Sequence, residues 1–130
     1  MRINFYKYDI IIIRKLVKRG DILNNNLQYL FDTSGNWIAF RKGKFLYNDE
    51  GEWIGWFPWK EDIAITPGGQ YLGEILHKNR LLKSNYNRIL PYPGYPGYPG
   101  YPGYPGYPGF AGYLYIPGTS DVEKELLKGE

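Results

Sequence analysis

The side chains of this sequence best suited to chemistry are rings. All four tryptophans, Trp37, Trp53, Trp56 and Trp59, lie close together in one short stretch, and Tyr71 follows them. Further on, Tyr92, Tyr95, Tyr98, Tyr101, Tyr104 and Tyr107 recur at every third position, each followed by Pro-Gly. Such rings stack on sugars, nucleobases and other aromatics, and their few torsions keep the entropic cost low. Two readings of Trp37, Trp53 and Tyr71 stay open: the core of a small domain, or the walls of a ligand site. Trp56-Phe57-Pro58-Trp59 is different, because three rings in four residues interrupted by proline cannot all point inward from a strand. At least one of them is expected at the surface, where it would meet a ligand or partner.

Bond-making chemistry has little to work with. The adjacent carboxylates Asp49-Glu50 and Glu61-Asp62 read as solvated turn residues, with no general-base histidine, nucleophile motif or metal set to assemble a site around them. His77 is the single histidine, in a polar stretch, and there is no cysteine, so neither a multi-histidine nor a thiolate metal site is available. Gly68-Gly69 lacks the lysine and hydroxyl of a phosphate loop. The expectation is a protein that is not an enzyme and uses no cofactor or metal.

The elements that position the rings are repeats. Three segments align on Gly35, Gly51 and Gly69: Leu30-Phe31-Asp32-Thr33-Ser34-Gly35-Asn36-Trp37-Ile38-Ala39, Leu46-Tyr47-Asn48-Asp49-Glu50-Gly51-Glu52-Trp53-Ile54-Gly55 and Ala64-Ile65-Thr66-Pro67-Gly68-Gly69-Gln70-Tyr71-Leu72-Gly73. Aromatic and branched residues on either side predict strands. Asp32, Asn48 and Thr66 can hydrogen-bond the turn backbone, and each glycine supplies a positive φ for a tight reversal. Ala39, Gly55 and Gly73 leave room for a neighbouring strand or ring. A hairpin cannot bury its apolar face alone, so the units, near 29–41, 45–57 and 63–76, must pack together.

The units D-x-x-G-x-W-I-A and G-x-W-I-G between Tyr29 and Leu82, with the tail Tyr107-Pro108-Gly109-Phe110-Ala111-Gly112-Tyr113, resemble the bacterial family of 4-fold β-flower proteins. The resemblance implies four hairpin-like units about a pseudo-four-fold axis. It supplies no catalytic residues. Three units are plain, and the fourth is expected from residues 10–23, with Leu81-Leu82 closing the ring. Within that stretch Ile10 to Ile13 reads as a strand, with a helix over 10–19 as the competitor.

The chain therefore divides into an all-β domain of hairpin repeats at 1–90, a disordered Tyr-Pro-Gly tail at 91–118 and a charged C-terminus at 119–130. Residues 1–90 carry 14 Lys/Arg against 9 Asp/Glu, a mild basic excess that is densest at Arg14, Lys15, Lys18 and Arg19. That falls short of a dedicated nucleic-acid stripe. Each Tyr-Pro-Gly can form a type II turn or run as a polyproline II segment. Ser120 and Glu123 match the capping box of a short helix. Four apolar residues in a row are too few for a membrane span, and a cytoplasmic protein is the default. The expected function is a binding or scaffolding module: an aromatic surface for an unidentified ligand or protein, and a tail adding weak multivalent contacts or self-association. A weak nucleic-acid binder using the basic segment and exposed tryptophan is the alternative, as is a carbohydrate or small-ligand binder.

Overall fold

The computed structural model describes residues 27–86 and 88–129. The strand, hairpin and basic cluster expected between residues 10 and 23 lie outside them. Among the described residues eight strands form one sheet in chain order: β1 (Leu27–Phe31), β2 (Trp37–Lys42), β3 (Phe45–Asn48), β4 (Trp53–Trp56), β5 (Ile63–Ile65), β6 (Tyr71–Leu76), β7 (Arg80–Ser84) and β8 (Thr119–Asp121). Each is antiparallel to the next. β1 also meets β7 in parallel through Phe31 and Arg80, which closes the first seven strands into a barrel-like ring. At that seam the Phe31 N–H donates to the Asn79 carbonyl at 2.8 Å. Among the described residues no helix is long and apolar enough to cross a membrane.

The three glycine turns are built alike. Gly35, Gly51 and Gly69 take φ of 96°, 84° and 96°. Their N–H groups donate to the carbonyls of Asp32, Asn48 and Thr66 at 3.0, 3.0 and 2.9 Å. The side-chain oxygens of those same three residues accept from the N–H of Asn36, Glu52 and Gln70 at 2.8, 2.9 and 3.0 Å. One polar side chain and one left-handed glycine thus define each reversal. The pairing register repeats as well. Leu30 faces Ala39, Leu46 faces Gly55 and Ala64 faces Gly73, and one step towards the turn Phe31, Tyr47 and Ile65 face Trp37, Trp53 and Tyr71. The intervening Ile38, Ile54 and Leu72 are therefore bulged in all three units.

The fourth unit comes from an unexpected part of the chain. β7 pairs with β8 so that Leu82 faces Asp121, the register of Phe31 with Trp37. Leu81 then stands with Leu30, Leu46 and Ala64, and all four are fully buried. Val122 takes the bulge position and joins Leu30, Leu46, Ile54, Leu72 and Leu81 in one core. The folded unit does not end at residue 90, and the fourth hairpin is β7 with β8, with residues 85–118 as its connection. The C-terminal helix expectation is likewise corrected. Ser120 is in a strand, where its hydroxyl donates to Asn85 Oδ1 at 2.7 Å, and only a 3-10 turn follows, at Lys124–Leu127. Its preceding residue, Glu123, makes no side-chain cap.

The small residues act as expected at the strand contacts. A methyl group at Gly55 would lie 2.5 Å from the Ile65 carbonyl oxygen, and one at Gly73 would lie 2.9 Å from that of Leu82. Close approach of the next hairpin therefore depends on the missing side chain.

Candidate aromatic recognition surface

Trp37 and Trp53 are placed by their hairpins in the same way. Each indole N–H donates to the carbonyl two residues on, Trp37 to Ala39 and Trp53 to Gly55, both at 2.8 Å. Each ring also meets an edge from its own unit: Tyr29 at 5.7 Å from Trp37, and Phe45 at 6.4 Å from Trp53. The indole polarity is spent internally, and each ring has further aromatic neighbours.

The tail supplies that aromatic. Tyr95 and Tyr98 flank Trp53 with centroids at 5.8 and 5.6 Å and interplanar angles of 60° and 58°. Tyr104 and Tyr107 flank Trp37 at 5.9 and 6.0 Å, both at 57°. The second pair lies three triplets along the tail from the first, so three triplets span one hairpin unit. The turn glycines are seats for the same strap. A methyl at Gly69 would lie 2.7 Å from the Tyr92 ring, and one at Gly51 would lie 2.7 Å from that of Tyr101. At Gly35 the strap presents backbone instead: Ala111 N–H donates to the Gly35 carbonyl, and Leu114 N–H to that of Thr33, both at 2.9 Å. The tail thus runs from the third unit to the first, opposite to the chain order of the hairpins.

Within the tail, Gly94, Gly97, Gly100, Gly103, Gly106 and Gly109 all have φ between 86° and 100°. That is the third corner of a type II turn and not polyproline II, so of the two conformations open to the sequence the turn is the one adopted. No regular strand forms in residues 91–118, yet the segment expected to be disordered and detached is laid against the ring.

Of the expected site residues, Trp37, Trp53 and Trp56 are buried and Trp59 and Tyr71 half-buried. The repeated tryptophans are a seat under other rings and not an exposed cage. Phe57 is in the core, and the Arg41 guanidinium lies 4.1 Å over its ring. Tyr92, Tyr95, Tyr98, Tyr101, Tyr104 and Tyr107 are 58–68 % exposed and form the outer layer. His77 lies in the β6–β7 turn, with φ of 49° there and 75° at Lys78, the left-handed pair of a tight hairpin.

Two polar groups matter that the sequence did not single out. Arg80 is buried, and its guanidinium donates to the carbonyls of Asp32 at 3.1 Å, Gly112 at 2.8 Å and Ala111 at 3.2 Å. A buried cation held by carbonyl dipoles ties the end of the strap to the first turn and the ring seam. The second group surrounds Tyr71, which stands where the other units have tryptophan. Its hydroxyl donates to Glu74 Oε2 at 2.8 Å and accepts from the Ser84 N–H at 2.9 Å, while Arg88 pairs with Glu74 at 2.6 Å. Burial, above all, pushes the Tyr71 phenol up to about 12. Burial likewise raises Tyr29 and Tyr47, with lesser contributions from Tyr104 and Tyr98 of the tail.

The chain matches no known protein-family model, no curated protein and no solved structure.

Proposed function

We propose that this chain is a non-catalytic binding or scaffolding module whose recognition surface is the row of tail tyrosines, displayed on a ring of four hairpins. The observation carrying this reading is the duplicated clamp, in which two tyrosines seat on Trp53 and two on Trp37 with nearly the same distances and angles. Tyrosines packed against a tryptophan yet more than half exposed offer contact area at low entropic cost, with a hydroxyl for hydrogen bonding, the properties that suit them to binding surfaces. Their even spacing suits weak multivalent contact with a protein or a repeated ligand, or association between copies of the chain. Membership of the 4-fold β-flower family belongs to the same proposal, supported by four hairpins in one register. So does a cytoplasmic setting.

The test is a tail variant with Tyr95, Tyr98, Tyr104 and Tyr107 changed to serine, titrated beside the parent chain with an oligosaccharide, a single-stranded oligonucleotide and a proline-rich peptide. Binding that vanishes with the tyrosines and varies little with salt supports the proposal. Binding that survives the substitutions overturns it. A steep loss of oligonucleotide affinity with salt would instead favour the nucleic-acid reading, in which phosphates meet basic residues.

A further inference from the structure

The turn of the second hairpin and the strap that crosses it together form an aromatic cup. Tyr95, Tyr98 and Tyr101 from the tail, with Gly51, Glu52 and Trp53 from the hairpin, enclose a hollow of about 270 Å³. That is slightly under the range of drug-sized pockets and suits a compact head group. Four of its six lining residues are aromatic, none is cationic and one is a carboxylate. Glu52 is exposed, and its Oε1 accepts from Asn48 Nδ2 at 2.8 Å and from the Gly129 N–H at 3.1 Å. Among the described residues it pairs with no cation, and neither do Asp49 and Glu50 of the same turn.

Aromatic faces are the negative ends of ring quadrupoles, and in a hollow they attract a cation too diffuse to be held by water. A carboxylate at the rim adds to that attraction and discriminates against anions and neutral ligands. At the position of Glu52 the first and third turns carry the neutral Asn36 and Gln70. The molecule therefore contains its own comparison: Trp37 has the same two-tyrosine clamp without the acid.

We infer that the cup formed by Tyr95, Tyr98, Tyr101, Trp53 and Glu52 binds an organic cation of the quaternary-ammonium class, such as a trimethylammonium head group or a methylated lysine side chain. This rests on the proposed role of the tail tyrosines as the recognition surface and names the ligand chemistry of one part of it. The test is an NMR titration of the full chain with choline and, separately, with 3,3-dimethylbutan-1-ol, its uncharged isostere. Choline is expected to shift the ring signals of Tyr95, Tyr98 and Tyr101, leave those of Tyr104 and Tyr107 in place, and bind about tenfold more tightly than the alcohol. Glu52→Gln keeps the Oε1 acceptor, so the turn stays folded, and it should weaken choline by about threefold with no change for the alcohol. Equal binding of the two probes, equal shifts at both clamps, or no choline binding at all would overturn the inference. If choline fails while the tyrosine-to-serine variant still abolishes binding to the wider ligand set, only the cup's assignment falls and the recognition surface stands.

Discussion

The first three hairpins reverse through short glycine turns, whereas the fourth takes residues 85–118 to make the same connection. In their buried positions the units correspond: Leu81 lies where Leu30 and Leu46 lie, and Val122 fills the bulge position of Ile54 and Leu72. The comparison shows that a tight reversal is one way, and not a necessary one, to bring two strands of this ring together. Loop closure becomes only slowly more costly with length, so a hairpin tolerates a long insertion if its strands still pair. Here the insertion returns over the ring and covers the rings that the short-turn units expose. The tail is the loop of the fourth hairpin and at the same time a lid on the first two.

The comparison is broken most severely by ending the chain after Leu90. That removes β8, Val122 and the strap together, and calorimetry should find no cooperative transition; a melting temperature near that of the full chain would mean the fourth hairpin is dispensable. Replacing residues 92–109 by a glycine-serine segment of equal length should keep the transition but lower it. Next comes Trp53→Ala, expected to cost about 3–5 kcal/mol in denaturant unfolding, with Trp37→Ala matching it because the two seats are alike. A clear inequality between them would show that the units differ energetically despite one geometry. Gly55→Ala drives a methyl against the Ile65 carbonyl and should cost about 1–3 kcal/mol. Smaller still, Tyr98→Ala and Tyr107→Ala should each cost about 1 kcal/mol, and equally.

A further effect is on pH. Tyr71 is raised to about 12 in the fold, from an ordinary value of 10.0, so between those values the folded chain holds a proton that the unfolded chain has lost. The contribution of Tyr71 to stability should be level below pH 10 and fall as pH rises towards 12, with Tyr71→Phe flattening that limb in a pH series of chemical denaturations. A limb that survives the substitution would move the cause to other tyrosines, Tyr29 and Tyr47 first.

Much of the ring was legible in the sequence because its signals are local. Asp32 with Gly35, Asn48 with Gly51 and Thr66 with Gly69 specify their turns within a few residues, and the small Gly55 and Gly73 announce a close neighbour. The fourth hairpin was not legible, since its halves are separated by the whole tail and β8 is the polar Thr119-Ser120-Asp121. Asp121 stands where the others have an aromatic ring and acts by accepting the Thr33 N–H at 2.9 Å. The role of Arg80 was not legible because arginine is seldom so buried, and its guanidinium partners across the fold are backbone carbonyls, which leave no mark in a sequence. Docking of the tail was hidden for a related reason. Proline and glycine signal that a segment has no core of its own, and they are silent about whether it borrows one.

The equivalence of the triplets has a final consequence. Every Tyr-Pro-Gly is chemically the same as the next, so the middle of the strap carries no mark telling Tyr95 from Tyr98 or Tyr104 from Tyr107. Its alignment must be dictated from its two ends, where Arg88 pairs with Glu74 before the first triplet and Arg80 grips Ala111 and Gly112 after the last. Like a ratchet belt, it is free of preference along its teeth and indexed only where it is fastened.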